Sequence, residues 1–313
     1  MSALRQNALG VTSALLATVL WAAGSILTKH LLRLFDPFDL IVDELTVSTA
    51  LLIVIVCVRG WPIRSIRTLL RLASPGLLQP GLAYTLAFIG LQQTAVSVET
   101  LLWSTEGVLM LPFAFFFLKE SISLPTLCLG GLALAGVLIS TLPAAFQEQG
   151  KTPALLGDLL ILAAVLAACA YTIFAQKDLA RNEPSTLLAL HQLAGLVLAI
   201  LLDALQSRAQ IQPLLTHPFS AFAEVGIAGI CLFAAPFWLY LQSMQILGSA
   251  KSAQFLPLVP VLTMLSASRV LGERISLVQA VGSAITIAAA ITLSLAEARS
   301  AKTRQPPLIS HSG

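Results

Sequence analysis

Leu118-Lys119-Glu120-Ser121-Ile122-Ser123-Leu124 and Leu271-Gly272-Glu273-Arg274-Ile275-Ser276-Leu277 are one phrase written twice in a single chain. Five of the seven positions are identical at an offset of 153, and each copy follows one apolar stretch and opens the next. Gln92 and Gln245 share that offset. Nearer the start of each half the offset falls to 147, where Gly10 matches Gly157 and Pro37 matches Pro184. Self-similarity on this scale marks a duplicated unit, so the chain is to be read as two related halves.

The composition says what medium the halves occupy. Of 313 residues, 57% are hydrophobic and 11% charged, with a mean hydropathy of +0.88. A soluble domain carries roughly 25% charged residues, so much of this surface must face something other than water. A net charge of +3 without a dense basic face gives no support for nucleic-acid binding. Cys57, Cys128, Cys169 and Cys231 lie far apart in apolar stretches, and the histidines at 30, 191, 217 and 311 are scattered. Neither a zinc site nor a disulfide framework is expected. No GxxxxGK[ST] motif occurs, so ATP hydrolysis, and any other cofactor, is not expected. Arg5 precedes an apolar run from 10 to 32, which is too long for the core of a signal peptide.

Ten stretches approach the ~20 residues needed to cross the hydrocarbon core: 10–32, 38–58, 75–95, 97–118, 124–143, 155–176, 186–206, 221–246, 251–271 and 276–297. Each half holds five. Because five is odd, the second copy enters the membrane in the opposite sense. The expected fold is therefore an all-α polytopic membrane protein, with ten transmembrane helices arranged as two inverted five-helix repeats, 1–145 and 155–297. Only 59–74, 144–154 and 207–220 resemble loops, and 298–313 reads as a disordered cytoplasmic tail. With the N-terminus inside, 12 of the 18 Lys and Arg fall on the inner side and 6 on the outer. The positive-inside rule then places both termini in the cytoplasm, in a bacterial inner membrane. Inverted repeats can exchange conformations and open one site alternately to either side, which favours a transporter of small molecules. A homodimer is compatible with this reading. A receptor or scaffold without transport, and a membrane-embedded enzyme, are the competing readings.

Ionisable side chains at mid-bilayer cost at least ~2.5–3.5 kcal/mol, so those present should face protein or water. Glu99, Trp103, Glu106 and Met110 share one face of the fourth span, with Glu106 near its middle. Glu106 is the sharpest candidate for a substrate-amine or proton site, with Trp103 beside it for cation–π contact. Lys29, Asp43, Glu44 and Glu99 share the outer third of the membrane and read as a charge cluster, a gate or a structural pair in which Lys29 neutralises one carboxylate. Trp21 lies too deep for the interfacial belt. Tyr84, Phe88 and Gln92 share a face of the third span, and Trp238, Gln242 and Gln245 one of the eighth. Trp21, Tyr84, Trp238 and Gln242 join Trp103, Glu106 and His191 as candidate cavity residues. Pro80, Pro112, Pro236, Pro257 and Pro260 lie inside spans and permit kinks. Gly131/Ala135, Gly136/Ser140 and Ala284/Ala288 are small-residue pairs that suit close packing of the fifth and tenth spans.

The stretches VLWAAGSILTK (19–29), FDPFDL (35–40), LKESISL (118–124) and LGERISLVQAVGSAI (271–285) resemble the EamA domains of the drug/metabolite transporter superfamily. The resemblance runs from about residue 10 to 297. It implies a ten-helix bundle, cytoplasmic termini, a central cavity between the halves, and export of small metabolites or amino acids. Many such domains carry an Arg seven residues after the proline that precedes the second span. Here the count from Pro37 reaches Glu44 and the count from Pro184 reaches His191, so substrate assignments built on that Arg do not carry over.

The orientation is open to test. A reporter fused after Gly313 should read as cytoplasmic and one inserted in loop 144–154 as periplasmic. A periplasmic C-terminus would mean a miscounted span and no inverted repeat.

Overall fold

The computed structural model describes residues 3–31, 34–60, 65–91, 102–119, 122–148, 155–206, 219–270 and 276–303. Every regular element among them is helical. An apolar medium offers no partner for backbone N–H and C=O groups, and the helix satisfies them within itself. Ten helical units follow. They are α1 (Ala3–Leu31), α2 (Pro37–Arg59), α3 (66–91), α4 (102–118), α5 (Leu124–Glu148), α6 (Leu155–Leu179), α7 (Pro184–Gln206), α8 (219–247), α9 (249–270) and α10 (Leu277–Thr303). Five of these reach membrane-spanning length and apolarity unbroken, namely Arg5–Thr28, Phe38–Arg59, Leu156–Leu179, Pro184–Leu205 and Ala221–Leu247.

Several boundaries differ from the expectation. Helix α1 begins at Ala3 rather than 10, and α5 runs on to Glu148 rather than 143. Two more differences bear on a loop and on the tail. The loop expected at 59–74 contains the amphipathic first turns of α3, Ile66–Ala73, with Ile66 and Leu70 exposed and Leu72 buried. Arg67 and Arg71 in that stretch raised its polarity above what an apolar window accepts. At the other end, α10 runs on to Thr303, past the position where the tail was expected to begin. Residues 304–313 lie outside the described residues.

The repeated phrase turns out to be a helix start. Ser276 N donates to Gln279 Oε1 at 2.8 Å, and Gln279 N donates to Ser276 Oγ at 3.3 Å, a reciprocal capping box for α10. At the equivalent place in the first half, Thr126 N donates to Ser123 Oγ at 3.3 Å and opens α5. Lys119 closes α4 in the left-handed region (φ 55°), where the second copy carries Gly272. At the start of α2, Asp36 caps the Phe38 amide at 2.9 Å with Pro37 in the first turn.

The packing maps onto itself when the halves are exchanged. The α5–α10, α2–α7 and α4–α9 contacts each join equivalent helices, and α1 packs on α8 as α6 packs on α3. In the same way α1 meets α9 as α6 meets α4, and α7 lies along α3 as α2 lies along α8. The α5–α10 seam is set by Ala133, Gly136 and Val137 against Gly282, Thr286 and Ala289, all buried. Thr286 Oγ1 donates to Ala133 O at 3.3 Å across it. Gly131, Ala284 and Ala288 point away, so the small-residue stripe is offset from the one expected on α10. Glycine is decisive where α7 crosses α3, because a Cβ on Gly76 would overlap the His191 carbonyl. The equivalent crossing of α2 and α8 repeats the device, a Cβ on Gly229 lying 2.5 Å from Glu44 O.

Gly76→Ala should therefore force α3 and α7 apart and destabilise the bundle by about 1–3 kcal/mol or more. Gly131→Ala, whose Cβ meets nothing within 4 Å, should leave the melting temperature in detergent unchanged or raised. Equal melting of the two variants would show that the crossing tolerates the methyl group.

Candidate functional site

Helices α4 and α9 are equivalent, and both are interrupted. In α4, Thr105 forms a turn between 102–104 and Glu106–Phe113. Its amide and hydroxyl both donate to Leu102 O, at 3.1 and 2.6 Å. In α9, residues 254–257 form turns between Ser249–Ala253 and Leu258–Val270. Pro257 lacks the N–H that helical bonding would need there, and bonds reach back only three residues, as from Leu256 N to Ala253 O at 3.1 Å. The interruptions meet. Gln254 Nε2 donates to Gly107 O at 2.7 Å, and a Cβ on Gly107 would lie 2.8 Å from Ala253 O. Gln254 Oε1 is buried with no hydrogen-bond partner among the described residues. Glu106, 8% exposed, stands directly beside this crossing and close enough to Cys169 of α6 to act on it electrostatically.

Aromatic side chains from five helices gather next to the crossing. Trp21 (α1) lies 5.2 Å from Phe237 and 5.4 Å from Tyr240 (α8), ring centroid to centroid. Tyr84 (α3) lies 5.9 Å from Trp103 (α4), 4.9 Å from Phe233 and 6.2 Å from Phe237. Tyr171 (α6) completes the group at 6.4 Å from Phe237 and touches His191 of α7 at 5.3 Å. These edge-on and tilted arrangements suit ring quadrupoles.

A second backbone irregularity underlies the cluster. Within α8, residues Ile230–Ala234 are wound as a π-turn, while near the equivalent place in α3 the helix is broken by a kink, Gln79 being extended (φ −148°, ψ 125°) ahead of Pro80. Both irregularities interrupt the i→i−4 ladder, and π-insertions are frequent at functional sites. In α8 carbonyls of the π-turn have partners. Trp21 Nε1 donates to Leu232 O at 3.1 Å, and Gln192 Nε2 donates to Phe233 O while its Oε1 accepts from Ser48 Oγ of α2.

The candidates from sequence are thus distributed unevenly. Trp21, Tyr84, Trp103 and Glu106 come together in one region, with His191 reaching it through Tyr171. Trp238 does not join them. It is 37% exposed on the periphery, and the residue before it, Phe237, points inward. Gln242 faces α1, where Ser13 Oγ donates to its Oε1 at 3.3 Å. The tryptophan and amides of α8 therefore do not mark the face that meets Trp21 and Tyr84. Phe233, Phe237 and Tyr240, at i, i+4 and i+7, were the available signal. Of the residues expected to form a charge cluster, Glu44 is fully buried and accepts from Thr28 Oγ1 at 2.8 Å. Asp43 is half-buried beside it. Glu99 and the side chain of Lys29 lie outside the described residues.

Residues 8–142 and 155–295 each match the EamA-like transporter family. The chain belongs to that family. The two matched segments are the two halves of the repeat, and the family fold is a two-repeat, ten-helix membrane bundle. Among similar proteins, an "Uncharacterized transporter" of Archaeoglobus fulgidus is 26% identical over 276 residues, covering 87% of this chain and 93% of that protein. "Uncharacterized transporter YetK" of Bacillus subtilis is 30% identical over 133 residues, covering 42% of this chain and 40% of that protein. A solved crystal structure covers 93% of this chain and 98% of its own with a TM-score of 0.73 at 17% identity, a likeness of fold.

The bonds that cover the interruptions should matter more than indole bulk. Trp21→Phe and Gln254→Leu each leave a buried carbonyl unpaired and should lower stability by ~1–3 kcal/mol in detergent melting. Trp238→Phe, on the periphery, should change little. A loss at Trp238 equal to that at Trp21 would contradict this placement.

Proposed function

We propose that this member of the EamA-like transporter family exports a small organic metabolite, an amino acid or a drug-like amine, from the bacterial cytoplasm by alternating access. Transport is facilitative or proton-coupled, with both chain termini in the cytoplasm. The observation that carries this reading is the meeting of interrupted α4 and α9 beside Glu106. Transporters built from inverted repeats bind substrate near the midplane, at the repeat interface, where discontinuous helices meet. Trp21, Tyr84 and Trp103 supply ring faces for an organic group, and the Glu106 carboxyl can pair with an ammonium or exchange a proton. The phenol of Tyr171 and the imidazole of His191 extend the polar lining toward α7. The sequence of events is a change of contacts between halves, since each side of the crossing is held by one half.

The test is flux from liposomes loaded in turn with individual amino acids and aromatic amines. The wild-type protein should accelerate efflux of at least one class. Glu106→Gln keeps the size and hydrogen-bonding capacity of the side chain, so it should fold and melt like the wild type yet lose flux or the dependence of flux on pH. Normal transport by Glu106→Gln at every pH would move the site away from this carboxyl. Binding without flux in the wild type would instead favour a receptor.

A further inference from the structure

Glu44 and His191 occupy the same place in the two halves. Each is the seventh residue after the proline that opens its helix, Pro37 or Pro184, and each is 0% exposed. The backbone carbonyl of each lies against the crossing glycine of the opposite half, Gly229 or Gly76. Each side chain gives one polar atom to a hydroxyl from the first helix of its own half. Glu44 Oε1 accepts from Thr28 Oγ1 at 2.8 Å, and His191 Nδ1 lies 3.2 Å from the Tyr171 hydroxyl. Glu44 Oε2 is buried without a hydrogen-bond partner among the described residues. The imidazole of His191, equally buried, has beyond Tyr171 only the Leu72 backbone to bond to among those residues.

Orphan polar atoms in a dry interior are costly to keep. An orphan carboxyl oxygen at one place, and at the equivalent place a buried imidazole held only by one hydroxyl and one backbone group, call for a partner that arrives at another stage of the cycle. Water entering from the nearer membrane face is such a partner. Glu44 and His191 each lie about 10 Å along their helices at 1.5 Å per residue. Because five spans separate the starts of α2 and α7, the two residues are reached from opposite faces. Electrostatic neighbours mark the path to Glu44: Asp43 acts on Glu44, Asp39 on Asp43, and Asp203 of α7 and Asp36 on Asp39. Facing Glu44 from other helices are Thr28 of α1 and Gly229 of α8. Facing His191 are Tyr171 of α6, with Gly76 and the Leu72 backbone of α3. The side chain of Lys29, next to Thr28, lies outside the described residues.

We propose that Glu44 and His191 are proton-binding sites of the cycle, one in each half and each reached from its own membrane face. The dry packing accommodates both in neutral form, since neither has a counter-charge among these neighbours. When the Glu44 side opens, its carboxyl gives a proton to the entering water and becomes carboxylate. When the His191 side opens, its imidazole takes a proton from water and becomes imidazolium. High pH therefore favours opening on the Glu44 side, and low pH favours opening on the His191 side. The inference rests on the transporter reading, but its test needs no substrate.

The experiment is spin-label distance measurement on the full chain in lipid, with exposed Cys57 and Cys128 first changed to Ser. One label pair, at Leu34 and Leu205, reports the Glu44 end, and another, at Ser65 and Arg181, reports the His191 end. Across roughly pH 5 to 8 the two pairs should respond in opposite senses. One coupled proton permits up to a ~10-fold change in the open-to-closed ratio per pH unit. Glu44→Gln and His191→Gln should each weaken the response of both pairs, and the double variant should abolish it. Glu44→Asp keeps the acid and alters its reach, so it should shift the midpoint of the first response. It also serves if a glutamine variant fails to fold, and an unshifted midpoint would then overturn the proposal. So would a wild type that ignores pH, or responses that survive in the double variant. A pH response without flux of any loaded compound would leave the proton sites standing and remove the transporter reading instead.

Discussion

A backbone group in lipid has no solvent to fall back on, so wherever a helix of this protein loses its internal bonding another part of the protein must cover the gap. That constraint explains which residues hold the centre together. The interruptions at Thr105 and at 254–257, the kink at Gln79 in α3 and the π-turn in α8 are among the places where carbonyls come free. Two of the covering bonds cross between the halves. Gln254 of the second half reaches Gly107 of the first, and Trp21 of the first reaches Leu232 of the second. Gln192 adds a third, to Phe233, while held by Ser48 across the α2–α7 contact. The seams that let the helices break are therefore the seams that tie the halves together, and relative motion of the halves must remake them.

Much of the bundle was legible in the sequence because its signals are local. Apolar runs of span length, a proline opening α2 and α7, and a Ser at the start of α5 and α10 each act within one turn of chain. The irregular turns were only partly legible. Pro80 announces the break in LQPGL, but nothing in ICLFA distinguishes an inserted residue from an ordinary helical turn. The rotational setting of helices was only partly legible, since hydrophobicity is a poor compass when both lipid and core are apolar. Trp238 shows the failure, facing outward while Phe237 and Tyr240 face in. Glu106 is buried, in keeping with the few tolerable directions open to a carboxyl inside an apolar span. The arrest of α9 near Pro257 could be anticipated, but its meeting with α4 depends on the pairing of the halves and not on either helix alone.

What the halves share is mostly backbone. Caps and crossing glycines recur at equivalent positions, and α3 and α8 are both irregular near the same place, though by a kink in one and a π-turn in the other. What they do not share is the central side chains. At offset 147, Trp21 corresponds to Ala168 and Glu44 to His191; at 153, Glu106 corresponds to Val259 and Trp103 to Leu256. Tyr84 and Phe237 also correspond at 153, and their rings stand 6.2 Å apart, so the site straddles the axis relating the halves. A bundle with identical halves would populate its two mirror-related states equally. Substitution at the centre removes that equality, and a ligand shifts the balance only by the difference in its contacts with the two states. A single buried carboxyl on one side of the axis, without a counterpart on the other, is a direct way to create such a difference. On the alternating-access mechanism proposed above, the repeat supplies the two states and the departures from the repeat set which of them is favoured.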